Sequence, residues 1–285
     1  MTRFDHTRRH LLIGAAAMGG LTLTPSFAHA AEDEQRDVPL SNGRVMKLSI
    51  WRPQTVRAAV VFGHGSGGQP QNYPALLDAF RAAGLLVVAP LHVDSLQHPQ
   101  HDQFDRVARF RARHEDMVAS LGVLQTMAPD APQAVAGHSF GGLMAFVAGA
   151  GFPPMSLAPL PSVKAVVAFS DAGVIPNVTN EQSYAALNVP ALTVTGDQDL
   201  VEGVVTDWHD HLYAYEHSPA GDKMALVYAG GTHNLIGGGQ AAGASAPDAI
   251  ANGADFILAY AARDAGAMTR VSALQSNAVR QVMRR

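Results

Sequence analysis

Gln133-Ala134-Val135-Ala136-Gly137-His138-Ser139-Phe140-Gly141-Gly142-Leu143-Met144-Ala145-Phe146 joins a short apolar run to an alanine-rich helical pattern through a glycine-flanked serine. It reads as strand, sharp turn and helix, the setting in which Gly-x-Ser-x-Gly presents a serine hydroxyl for nucleophilic attack. Such a turn holds its serine in a strained backbone conformation, so the residues two positions to either side must lack bulk. Alone the pattern is weak, because a chain with 27 glycines can meet it by chance. A base, an acid and a loop able to hold an oxyanion must be found elsewhere, each after its own strand.

Composition narrows the chemistry. The 285-residue chain has no cysteine, which excludes disulfides, a thiolate nucleophile and Cys-ligated zinc. Its formal charge of −4 does not suggest nucleic acid or an anionic membrane as a partner. At the N-terminus, Thr7-Arg8-Arg9-His10-Leu11-Leu12 places paired arginines before an apolar run, and Ala28-His29-Ala30 follows as an A-x-A cleavage pattern. Residues 1–30 are therefore expected to be a twin-arginine-type signal peptide, cleaved near Ala30, with a periplasmic or secreted destination. The remainder suits one α/β domain and no further membrane segment.

Residues 31–44 are charged and polar and read as a flexible lead-in. Val45–Trp51 alternates as a half-buried antiparallel strand does, whereas Ala58–Phe62 and Leu85–Ala89 are continuous apolar runs, expected of strands buried on both faces. Helical spacing predicts helices over 73–83, 103–127, 203–217 and 247–262. In the second of these, Phe104, Val107, Met117, Val118, Leu121 and Leu124 mark the buried face. Arg106, Arg109, Arg113, Glu115 and Asp116 mark a solvated one. Val163–Phe169, Ala191–Thr195 and Met224–Tyr228 are further strands, with room for no large lid between the first two. Alternation of strand and helix over 45–265 gives an α/β class with a mostly parallel sheet. Residues 266–285 form a basic tail with weak helical pattern.

Gly63-His64-Gly65-Ser66-Gly67-Gly68 follows a strand and precedes a helix. It matches a dinucleotide-binding fingerprint, but the carboxylate required at the end of the next strand is missing there, since that strand ends in Val88-Ala89-Pro90. The alternative is a glycine-rich loop whose N–H groups turn inward as an oxyanion hole, with the N–H groups of Ser66 and Phe140 as donors. After the Ala191 strand, Gly196-Asp197-Gln198-Asp199 offers an acid. Asp199 is preferred, because Asp197 is better placed to shape the turn; Asp171, after the preceding strand, is the outside candidate. His233, in the glycine-flanked loop after the last strand, is the candidate base.

The order Ser139, Asp199, His233 is that of α/β-hydrolases. On these four motifs the chain, from about residue 45 to 265, resembles serine α/β-hydrolases of the dienelactone-hydrolase-like and platelet-activating-factor-acetylhydrolase-like esterase group. The resemblance implies an eight-stranded sheet with helices on both faces, a Ser-His-Asp triad and hydrolysis of a small-molecule ester without a cofactor. Dienelactone hydrolase proper uses a cysteine nucleophile, so its substrate does not carry over. Amides or polyesters are alternative substrates for the same triad, and a non-catalytic exported binding protein is the alternative of another class. The loop containing His92, Asp94, His98, His101 and Asp102 is read as solvated, with no metal assigned to it.

Overall fold

The apolar runs around Ser139 become the centre of a single sheet. In the computed structural model, which describes residues 33–285, β3 (Ala58–Gly63), β4 (Leu85–Pro90) and β5 (Gln133–His138) are buried along their whole length. They continue into β6 (Val163–Phe169), β7 (Ala191–Gln198) and β8 (Lys223–Thr232) as a parallel array. On the far side of β4 lie β2 (Val45–Trp51) and β1 (Glu34–Pro39), both antiparallel to their neighbours, giving the order β1-β2-β4-β3-β5-β6-β7-β8-β9.

Each strand feeds two cores, because successive side chains point to opposite faces. From β3, Val60 and Phe62 pack with α1 (Pro74–Ala82), α5 (Ala246–Tyr260) and α6 (Ala265–Ala273). Ala59 and Val61 pack on the other side with α2 (Arg106–Met127) and α3 (Phe140–Ala150). Both faces of the sheet are thus covered, and the parallel strands need no polar side. A short helix, α4 (Tyr213–His217), follows a 3-10 turn at Trp208–Leu212.

The structure departs from the sequence reading at both edges. Residues 31–44 hold a strand, β1, where a flexible lead-in was expected, and the basic tail ends in β9 (Arg280–Arg284), antiparallel to β8. The sheet therefore has nine strands among the described residues where eight were expected. Both additions are edge strands rich in charge, and an edge strand needs no apolar run to be stable. The helix expected over 203–217 begins only at Trp208; before it, Val201 bridges Val205 in a tight loop. Residues 170–190 carry no helix or strand. The expected signal segment lies outside the described residues, among which no helix is long and apolar enough to cross a membrane.

Backbone contacts at the strand ends set where the loops emerge. A Cβ on Gly196 would lie 2.1 Å from the carbonyl oxygen of Gly231, so the ends of β7 and β8 approach backbone to backbone. Gly196→Ala has no side-chain movement to relieve that clash. It is expected to cost about 1–3 kcal/mol or more, as overpacking does, read as a lowered thermal midpoint; an unchanged midpoint would refute the close approach.

Candidate active site

At the end of β5 the chain turns through Ser139 with φ 54° and ψ −120° and enters α3 at Phe140. A positive φ is costly for a residue with a Cβ, so packing must impose it. The glycines do so. A Cβ on Gly141 would lie 2.0 Å from the Gly63 carbonyl oxygen, and one on Gly137 would lie 2.2 Å from that of Gly141. Only a bare backbone lets α3 sit this close to β3 and β5. The Ser139 N–H donates to the Phe169 carbonyl at the end of β6, 2.9 Å away.

Asp199 and His233 meet across the β7 and β8 ends: Nδ1 of His233 is 2.8 Å from Oδ1 of Asp199. The Thr195 hydroxyl donates to Oδ2 of Asp199 at 2.7 Å. Burial works to raise the Asp199 carboxyl, but hydrogen bonds from His211 and His233 override it and hold the group well below the usual carboxylate range. Asp197 instead accepts the Gly230 N–H at 2.7 Å, tying the β7 end to β8 where their register shifts. Asp171 is buried at the end of β6, and burial pushes its carboxyl up to about 7. Its Oδ1 accepts the Gly173 N–H, while its Oδ2 has no hydrogen-bond partner.

Ser66, Ser139, Phe140 and His233 line one cavity of about 430 Å³. Phe110, Ile175, Val201 and Val204 form apolar wall, and Arg106 and Arg109 contribute from the first turns of α2. The glycine-rich loop and the turn thus place Ser66 and Phe140, the residues expected to hold an oxyanion, on the cavity that Ser139 and His233 also line. Phe140, as the first residue of α3, has no intrahelical acceptor for its N–H.

The glycine-rich loop is held by a residue expected in solvent. Arg113 is fully buried, and its guanidinium pairs with Asp94 through two bonds of 2.7 and 2.9 Å. Two further N–H groups donate to the carbonyls of His64 (2.7 Å) and Gly65 (3.3 Å), and its Cζ sits 4.3 Å from the centroid of the Phe140 ring. Burial tends to raise the Asp94 carboxyl, and Arg113 overrides it to hold the group below the usual range. Asp116, also expected in solvent, is buried between Arg44 (2.8 Å) and Nδ1 of His92 (2.9 Å). Val107 and Val118, expected in the core, are exposed. The inward stripe of α2 is Phe110, Arg113, Met117, Leu121 and Leu124. A charged residue in register with apolar ones was the available signal.

The loop read as solvated is likewise part interior: His92 and Asp94 are buried. Its histidines and aspartates do not converge on a point. Among the described residues, the ligand atoms of Asp199, His211 and His233 do, within 4.8 Å of one another. Oδ1 of Asp199 faces a ring nitrogen of each histidine at 2.8 and 3.0 Å, so hydrogen bonds between them account for the cluster.

His138, beside the candidate nucleophile, had no role in the sequence reading. Its Nε2 lies 2.8 Å from the His233 carbonyl and its Nδ1 2.9 Å from the Tyr73 hydroxyl, which accepts the Gly65 N–H at 3.0 Å. The carbonyl requires the proton on Nε2, so Nδ1 accepts from Tyr73 and every group is satisfied. Burial, reinforced by nearby His233, pushes His138 down to about 3, and the ring stays neutral.

The strand order, the serine turn and the acid and histidine at successive strand ends define the α/β-hydrolase fold. The chain resembles serine hydrolases of that fold among solved structures. An α/β serine hydrolase homologue from Coxiella burnetii matches with a TM-score of 0.55 and 18% identity, over 72% of this chain and 91% of that one. Dienelactone hydrolase from Anabaena variabilis matches at 0.59 and 20%, over 80% and 98%. A propionate-bound esterase from Thermogutta terrifontis matches at 0.58 and 14%, over 81% and 95%. A monoacylglycerol lipase from Mycolicibacterium smegmatis is 31% identical over 189 residues; the match spans 62% of this chain and 64% of the lipase. No protein-family model matches the chain.

Removing Arg113 leaves a buried carboxylate without its partner. Arg113→Met is expected to lose about 3–5 kcal/mol of stability in urea unfolding, and Arg113→Met/Asp94→Leu to lose clearly less. A single variant within about 1 kcal/mol of the parent would show that the pair does not hold the loop.

Proposed function

We propose that the protein is a serine hydrolase that cleaves carboxylic esters through an acyl-enzyme. The observation that carries this reading is the convergence of a serine in a strained strand-to-helix turn with an Asp199-paired His233 on one cavity. The likeness to esterases, dienelactone hydrolase and a monoacylglycerol lipase supports it.

Ser139 Oγ attacks the ester carbonyl carbon as its proton passes to Nε2 of His233, whose Nδ1–H is held by Asp199. The carbonyl oxygen becomes an oxyanion that accepts the N–H groups of Ser66 and Phe140, each worth about 3 kcal/mol to the transition state. Collapse of the tetrahedral intermediate breaks the bond to the alcohol, which leaves with the proton from His233. Water then gives a proton to His233 and attacks the acyl carbon, and Ser139 departs with that proton. The apolar wall of Phe110, Ile175, Val201 and Val204 suits a short or medium acyl chain in a small-molecule ester. The paired arginines Arg8-Arg9 and the Ala28-His29-Ala30 pattern support export, so the working compartment is the periplasm or the exterior.

Ser139→Ala is expected to lower p-nitrophenyl butyrate hydrolysis by at least about 10⁴-fold with an unchanged circular dichroism spectrum. A fluorophosphonate is expected to label the parent at Ser139. Retained hydrolysis in the variant, or a folded parent that resists labelling, would overturn the assignment.

A further inference from the structure

The histidine that shares Asp199 with His233 is not explained by the triad. His211 lies in the 3-10 turn at Trp208–Leu212, fully buried, its ring stacked on that of His233 at 6.1 Å between centroids and 23° between planes. Nδ1 is 2.6 Å from the carbonyl oxygen of Asp171. Nε2 is 3.0 Å from the carbonyl oxygen of Asp199 and 3.0 Å from its Oδ1.

We propose that His211 is a buried imidazolium that shares the Asp199 carboxylate with His233, making it a positioning residue that sets the pH range in which His233 works as a base. This rests on the assignment of Asp199 and His233 to the triad.

Donors and acceptors fix the protonation of the ring. A carbonyl and an ionised carboxylate only accept. A neutral imidazole has one N–H, so its other nitrogen would set a lone pair against an oxygen at 3.0 Å or less. Only the doubly protonated ring satisfies both ends. The electrostatics agree: burial works to lower His211, and Asp199 first, then Asp171, override it and raise the group to about 9. The groups facing the ring are Asp199 from the β7 end, Asp171 from the β6 end, whose Oδ1 is 4.0 Å from Nδ1, and His233 from the β8 loop. His138, from the end of β5, also feels its charge and stays neutral.

Two consequences follow. The ring joins the Asp171 backbone to Asp199, so the acid is located between the ends of β6 and β7 by something other than its own strand. The negative charge of Asp199 is also divided. When His233 accepts the serine proton, it meets a carboxylate already facing one cation at 3.0 Å. The positive charge that His233 takes on is therefore stabilised less than it would be beside a carboxylate with no second cation.

Two measurements test this. In histidine labelled with nitrogen-15, His211, assigned through its neighbours' backbone resonances in the parent protein, is expected to show both ring nitrogens protonated from pH 6 to 8. A bare nitrogen on His211 in that range overturns the proposal, whatever Ser139→Ala shows. In His211→Gln, which keeps one donor and removes the charge, the acidic limb of kcat/KM is expected to move up by about one pH unit. At the same time kcat should fall about tenfold, with KM for p-nitrophenyl butyrate within about twofold. A folded variant whose acidic limb stays in place or moves down overturns it, because a role in folding alone does not move that limb upward.

Discussion

The buried ion pair between Arg113 and Asp94 is the contact on which the candidate site's face of the sheet depends. Taking both charges out of water costs several kcal/mol per ion, and the pair is tolerable because further hydrogen bonds satisfy most of the guanidinium. Those further bonds go to the backbone of the glycine-rich loop, through the His64 and Gly65 carbonyls. The guanidinium therefore cannot settle without settling the loop. The face of the same group lies against Phe140, so both proposed donor residues, Ser66 and Phe140, are referred to a single cation.

The opposite side of the cleft is located by backbone approach. Gly63, Gly137 and Gly141 allow α3 to press against the strand ends, and that pressure holds Ser139 in its strained conformation. Gly196 and Gly231 do the same for the loops bearing Asp199 and His233. The site is thus referenced to the sheet at the ends of β3 and β5 on one side of β6 and of β7 and β8 on the other, at the edge where an open parallel sheet offers a crevice. Rigidity comes from absent side chains on one side and from a present one, Arg113, on the other.

How much of this was legible follows from the kind of signal each part carries. Buried parallel strands announce themselves by continuous apolar runs, so β3 to β8 could be read off the chain. Ser139, Asp199 and His233 carry local signals too: a glycine-bracketed serine, an acid just past a strand, a histidine among glycines. The edge strands β1 and β9 were missed because they bury little and keep their charges, Glu34 with Arg36 and Arg52 among them. Arg113 and Asp116 were misplaced because a charge normally marks a wet face, and what overrides that rule is a partner on a distant loop. His211 had no local signal: both its acceptors come from other strand ends, 12 and 40 residues away in the chain.

His138 joins the two sides of the cleft. Through Tyr73 it grips Gly65, and through its own Nε2–H it grips the His233 backbone. The loop bearing Ser66 and the loop bearing His233 are consecutive links in one hydrogen-bonded chain that passes next to Ser139. Neither can swing out without breaking that chain, so opening of either wall is opposed by contacts that reach the other. Local fluctuation at one wall is therefore felt at the other, and the crevice keeps its width through a histidine that lies in neither loop.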